Sequence, residues 1–187
     1  MIMSKTQENL LKAFAGESQA RNKYTYFASI AKKEGYEQIS AIFLETAENE
    51  KEHAKVFYKH LGKGKQLINA TYGFGLGTTK DNLLAAAEGE KEEWDILYKD
   101  FEATAMKENL PDVAASFRMI AKVEAEHERR YRTLLKNIEQ SKAFKKDNPI
   151  RWRCRNCGYV HTGKEAPGLC PACKHPQAYF EAAAENY

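Results

Sequence analysis

Cysteine is missing from the first 153 residues of this 187-residue chain, and all four cysteines lie between 154 and 173. The long first part therefore has no disulfide framework and no thiolate site, and must fold on its own core. No apolar run approaches the length of a bilayer span, so no membrane partner is expected. Charge of one sign is scarce: 29 Lys and Arg against 26 Asp and Glu leave +3, too little to argue for nucleic acid as a partner. A phosphate cradle is lacking too. Gly62, Gly64, Gly73, Gly75 and Gly77 follow no strand and lead into no G-K-[ST], and there is no dinucleotide fingerprint. Residues 1–16 lack the apolar stretch of a secretion signal and carry Ser4-x-x-Gln7, a helix-starting pattern, so a cytoplasmic protein is expected.

What the chain does have is one small pattern twice, Glu50-x-x-His53 and Glu124-x-x-His127, each about 33 residues after a Gly-Glu step at Gly16-Glu17 and Gly89-Glu90. A Glu and a His three apart share one face of a helix. Spacing alone is weak in a Glu-rich chain, and the face decides. The apolar seams read Leu10, Phe14, Glu17, Tyr24, Ala28; Ile39, Phe43, Glu50, His53, Phe57, Leu61; Leu83, Ala86, Glu90, Glu93, Leu97, Phe101; and Val113, Phe117, Ile120, Glu124, His127, Tyr131, Leu134, Ile138. Each candidate ligand is thus flanked by residues that belong in a core. A buried carboxylate is costly unless paired or metal-bound, and Glu17, Glu50, Glu90, Glu93 and Glu124 cannot all stay ionised together without cations. The pattern predicts a buried two-metal site.

Residues 4 to about 140 read as four long helices. Gly35 divides the first pair and Asn109-Leu110-Pro111-Asp112 the second, while the Gly-rich stretch Leu61 to Thr79 forms a long connection between the pairs. Short joins within pairs and a long middle connection predict a four-helix bundle with a crossover. The halves repeat: Glu17 matches Glu90 at a shift of 73, whereas Glu50 matches Glu124 and His53 matches His127 at 74. Glu93 faces Ala20 in this alignment, a surplus carboxylate on one side only. The expected division is 1–140 for the bundle, 141–150 for a basic linker, and 151–187 for a second domain. The basic cluster there reads as a solvated connector in preference to a docking patch.

Cys154-Arg-Asn-Cys157 and Cys170-Pro-Ala-Cys173, twelve residues apart, form two C-x-x-C knuckles that predict a tetrathiolate metal site. Trp152, Tyr159, Tyr179 and Phe180 are its expected aromatic core. With zinc the domain is a structural clip or binding module; with iron it is a one-electron carrier. Spacing leaves both open, but a neighbouring two-metal site has a use for electrons.

The stretches Ala15-Gly16-Glu17-Ser18-Gln19-Ala20-Arg21-Asn22, Glu50-Lys51-Glu52-His53-Ala54, Gly89-Glu90 with Glu93, Glu124-x-x-His127 and the two knuckles together resemble the rubrerythrin family over essentially the whole chain. The resemblance implies a mainly α fold, a ferritin-like bundle with a small rubredoxin-like domain, and the bundle's carboxylate pattern is one already described for ferritin-like di-iron proteins. It implies a di-iron centre with Glu50 and Glu124 bridging, Glu17 on one iron, and Glu90 with His127 on the other. Glu93 and His53 are implied as alternative ligands of the first iron, exchanging with redox state. It further implies a mononuclear iron on Cys154, Cys157, Cys170 and Cys173, with zinc possible in a given preparation. The implied activity is a non-haem peroxidase reducing hydrogen peroxide to water in oxidative-stress defence. Electrons would arrive through the rubredoxin-type iron from a separate NAD(P)H-linked reductase or a rubredoxin, in a head-to-tail homodimer. Tyr24 and Tyr98 serve either as core aromatics or as hydrogen-bond partners of the carboxylates. His60, His161 and His175 read as surface residues. Iron storage within the same bundle, and a zinc scaffold without catalysis, are the competing readings.

Overall fold

The computed structural model describes residues 4–185; the sequence ranges 1–140 and 151–187 run on into residues 1–3 and 186–187, which lie outside the described residues. Helix α1 spans Lys5–Lys33 and α2 Glu37–Leu61; α3, Thr79–Glu92, continues through a π-turn at Glu93–Leu97 into α4, Tyr98–Lys107; α5 spans Pro111–Glu139. With α3, the π-turn and α4 running as one interrupted rod, the bundle has four rods. Ser4 caps α1, its hydroxyl accepting from the Gln7 N–H at 3.2 Å, and Thr78 with Asp81 forms a full capping box on α3.

The two joins within pairs share a backbone conformation. Gly35 at φ 83° and Asn109 at φ 59° are left-handed, and the residues after them, Tyr36 and Leu110, both sit at φ −115° with ψ 68° and 66°. Gly and Asn are the residues that tolerate this conformation at a helix end. These positions are 74 apart, like Glu50 and Glu124. Between the pairs, residues 62–78 form no helix or strand and cross the bundle as an extended connection. Its Tyr72 donates to the Lys12 carbonyl at 2.8 Å, while Phe74 and Leu67 stay exposed.

The core is continuous with the seams. Tyr24, Phe27, Phe43, Leu83 and Tyr131 pack towards one end, and Leu10, Phe57, Phe117, Tyr98 and Val113 towards the other. The metal-ligand candidates lie between these clusters.

The small domain is a three-stranded antiparallel sheet of β1 (Lys145–Cys154), β2 (Val160–Glu165) and β3 (Phe180–Ala182), ordered β2-β1-β3. β1 begins inside the basic stretch read from sequence as a connector, with an irregularity between Lys145 and Ile150 in its pairing to β2. Trp152, Cys154, Cys170 and Phe180 form its core, with Phe144, Tyr159 and Tyr179 packed around. It rests on the α1–α2 end of the bundle: Tyr36 stacks on Phe144 at 5.9 Å, and Ala178 approaches Gly35. No described helix is long and apolar enough to cross a membrane.

Candidate metal centres

All four rods contribute to one buried point: Glu17 from α1, Glu50 and His53 from α2, Glu90 from α3, Glu124 and His127 from α5. Two overlapping groups result. Glu17, Glu50, His53 and Glu124 converge on one side, and Glu90, Glu50, Glu124 and His127 on the other. Glu50 and Glu124 belong to both. The two sides match closely. His53 Nδ1 stands 2.9 Å from Glu50, 2.8 Å from Glu124 and 3.8 Å from Glu17; His127 Nδ1 stands 2.8 Å from Glu124, 3.3 Å from Glu50 and 3.8 Å from Glu90.

Two tyrosines brace the outer carboxylates, each from across the bundle. Tyr24 on α1 donates to Glu90 Oε1, and Tyr98 on α4 donates to Glu17 Oε1, both at 2.5 Å. Both rings are also core, packing on Phe43 and Phe57, so the two roles read from sequence coexist. This pair is 74 apart, whereas Glu17 and Glu90 are 73 apart. The extra residue enters at the π-turn, Glu93–Leu97, which lies between Glu90 and Tyr98. A π-turn is how a helix absorbs one inserted residue without losing its direction, and such turns recur at functional sites.

Glu93 begins that turn and is not in either converging group. It is half-buried beside Gly16 and lines, with Tyr72 and Tyr98, an open cavity beneath the crossover. The structure thus holds His53 inward and Glu93 outward. His60 is exposed and bonded to Ser116, while His161 and His175 lie in the small domain, outside all converging groups.

The electrostatics follow from crowding five carboxylates together. Burial, with Glu124 and Glu50 nearby, raises Glu17 well above the usual carboxylate range, and burial with Glu17 and Glu90 does the same to Glu93. Burial and Glu50 push Glu90 up to about 8. Glu50 goes the other way, down to about 2, because His127 and His53 outweigh its burial. Burial opposes charge on the histidines too, yet Glu124 and its neighbours outweigh it: His127 rises to about 12 and His53 rises strongly.

Metal ions fit the same place. Glu17 Oε2 and Glu90 Oε2 are buried with no hydrogen bond, while Glu50 Oε1 and both Glu124 oxygens meet histidine nitrogens at 2.8 to 3.3 Å without hydrogen-bond geometry, and all belong to the converging groups. Orphaned acceptors of this kind are expensive unless a cation satisfies them. Hard oxygens plus two imidazoles suit iron or a similar transition ion.

The four cysteine sulfurs also converge. Cys154 and Cys173 sulfurs are 3.7 Å apart, as are those of Cys157 and Cys170. A regular tetrahedron with metal–sulfur bonds of about 2.3 Å has edges of roughly 3.8 Å. The knuckles mirror each other. The Gly158 N–H donates to the Cys154 carbonyl and the Lys174 N–H to the Cys170 carbonyl, and both residues are left-handed.

A rubrerythrin family model matches residues 8–135, and a model of the rubrerythrin rubredoxin-like domain matches 152–181. Rubrerythrin-1 of Clostridium acetobutylicum is 59% identical, covering 98% of this chain and 97% of its own length. The chain belongs to the rubrerythrin family. Rubrerythrin of Porphyromonas gingivalis is 60% identical over 98% of this chain and 92% of its own. Among solved structures, fully reduced, all-ferrous nigerythrin aligns over 98% of this chain and 89% of its own, with TM-score 0.64 and 31% identity. Rubrerythrins are oxidoreductases, and this one has the family's carboxylate–histidine di-iron site and its rubredoxin-like four-cysteine site.

Sequence reasoning missed two participants. The π-turn was visible only as a change of repeat shift from 73 to 74. Asn49, whose side-chain oxygen meets His127 Nε2 at 3.3 Å, gave no signal beyond preceding Glu50.

Proposed function

We propose that this rubrerythrin is a peroxidase that reduces hydrogen peroxide to two waters with two electrons and two protons. The carrying observation is one chain that holds a closed tetrathiolate site and a carboxylate–histidine pair of sites bordered by an open cavity at Glu93 and Tyr98. When bound, two adjacent ferrous ions supply one electron each, together with the Lewis acidity that O–O cleavage needs. Glu50 and Glu124 would be shared by both ions, Glu17 would hold one, and Glu90 with His127 the other. His53 and Glu93 would be rival ligands of the first ion, neutral imidazole suiting a ferrous ion and the harder carboxylate a ferric one. Tyr24 and Tyr98 orient Glu90 and Glu17. Burial and the adjacent carboxylates raise both phenols well above their ordinary range, so they remain protonated donors. Glu93, at the cavity wall with a raised carboxyl, is placed to hand a proton to peroxide.

Cys154, Cys157, Cys170 and Cys173 would hold an iron, which would supply single electrons to the bundle site. We divide the chain accordingly into a bundle at 1–140, a connector at 141–150 whose second half enters strand β1, and a rubredoxin-like domain at 151–187. The small domain sits at the Lys33 end of α1, and Glu17 lies roughly 24 Å down that helix. That gap favours transfer between chains in a head-to-tail homodimer, fed by a cytoplasmic NAD(P)H-linked reductase or rubredoxin. Sedimentation giving a fully active monomer would contradict the dimer. The reaction is tested by rapid mixing of reduced, iron-loaded protein with peroxide and, separately, with dioxygen. Oxidation by peroxide should be the faster; if dioxygen is as fast, the peroxidase assignment fails. A red oxidised protein marks iron at the knuckles, and a colourless one marks zinc.

A further inference from the structure

The two histidines are equivalent on the side facing the site and different on the side facing away. His127 turns Nε2 to the Asn49 side-chain oxygen at 3.3 Å, while His53 makes its polar contacts among the described residues through Nδ1 alone. A histidine bound to metal through Nδ1 carries its proton on Nε2, so the outer partner has to be an acceptor, as the Asn49 oxygen is. The repeat says what the matching partner of His53 would be. At the shift of 74 that relates Glu50 to Glu124 and His53 to His127, Asn49 corresponds to Val123. Valine accepts no hydrogen bond. It is also 38% exposed, whereas Asn49 is half-buried against His127.

A ring fixed by an outer hydrogen bond has one preferred orientation, while a ring without one rotates away from its ligand position at lower cost. The only surplus carboxylate, Glu93, lies on the His53 side, near Gly16 of α1. Freedom of one histidine and a rival for the same histidine coincide.

We propose that Asn49 is a positioning residue that keeps His127 on its iron in both redox states, and that Val123 at the related place leaves His53 free to yield to Glu93. The inference rests on the ligand exchange described under Proposed function, but the tether itself is separately testable. The probe for the tether is zinc, which has no redox change, titrated into full-length protein whose bundle is metal-free and whose knuckle site has been filled beforehand. Asn49→Val should weaken one of the two bundle sites about tenfold, the lower end of what loss of such a partner costs. Asn49→Asp, which keeps an acceptor oxygen, should restore most of that. Unchanged zinc binding in folded Asn49→Val protein overturns the tether.

The second arm uses crystals of the iron-loaded protein in all-ferrous and all-ferric forms. Val123→Asn, at an exposed position that tolerates a polar side chain, should keep His53 on iron after oxidation and shift that iron's ferrous-to-ferric balance towards ferrous by about fivefold, the worth of an ordinary hydrogen bond. If His53 still departs in Val123→Asn crystals as it does in the parent, the role given to Val123 is wrong. If the parent itself keeps His53 in both forms, the exchange reading fails, and the zinc arm alone judges Asn49.

Discussion

The two halves of the bundle repeat one geometry with a spacing that differs by one residue, and the difference lies beside the candidate ligands. α1 and α2 give Glu17, Tyr24, Glu50 and His53; the second half gives Glu90, Tyr98, Glu124 and His127 in matching geometry. Even the backbone of the joins repeats, at Gly35 and Asn109. The second half alone carries the π-turn, and that turn begins with Glu93. A doubled helical pair makes a symmetric cage for two ions. One inserted residue and one extra carboxylate make the two sides of the cage unequal.

The sharpest way to break this comparison is to remove carboxylates in turn. Glu50→Ala and Glu124→Ala, which remove residues common to both sides, should each lose both bundle metals; Glu17→Ala and Glu90→Ala should each retain one. Metal content per chain after gel filtration decides. Equal losses for all four would mean that the site does not divide as its symmetry suggests.

Protons compete with the metals next. Glu17, Glu90, Glu93 and both histidines have raised values, so at neutral pH the metal-free protein holds protons that a metal must expel. Affinity should therefore fall as pH falls below about 8, by up to ~10-fold per unit for each proton expelled. The metal-free protein should respond in the opposite direction. Folded Glu90 keeps its proton up to about 8 while the unfolded residue has lost it, so that contribution to stability is present below the ordinary carboxylate range and disappears as pH rises to about 8. Isothermal titration and chemical unfolding across this range check both signs.

Phe43 and Phe117, both fully buried and 74 apart, measure symmetry in the packing. Each change to Ala should cost about 3–5 kcal/mol, and similar values from urea unfolding of the metal-free protein support equal halves. The smallest effect belongs to the joins. Gly35→Ala forces a side chain into a left-handed conformation, with its Cβ in ordinary contact with Ala178, and should cost roughly 1–2 kcal/mol; Asn109→Gly should be nearly neutral. If the two joins respond alike, the shared backbone geometry does not carry shared strain.

Most of the site was legible because helical periodicity is local. Glu17, Glu50, His53, Glu90, Glu124 and His127 sit among Leu, Phe and Ala at seam spacing, and burying one seam residue buries its neighbours. The knuckles were legible for a similar reason, since C-x-x-C fixes two sulfurs within one turn of backbone. Tyr24 was half-legible, since its seam position put it in the core but not against Glu90; Tyr98 lies off the seam read from sequence, which has Leu97 there, and comes to the core after the π-turn.

The sequence by itself determined most of the inward-facing positions before the π-turn, that the bundle is doubled, and that four thiolates form a separate closed site. Only the tertiary structure decided that His53 is in while Glu93 waits at the cavity, that a π-turn absorbs the odd residue, and that Asn49 meets His127. Facing inward depends on the repeat of one helix, which can be read along a chain. Meeting a particular partner depends on the rotation and register of two packed helices, and those are set only when the whole core closes.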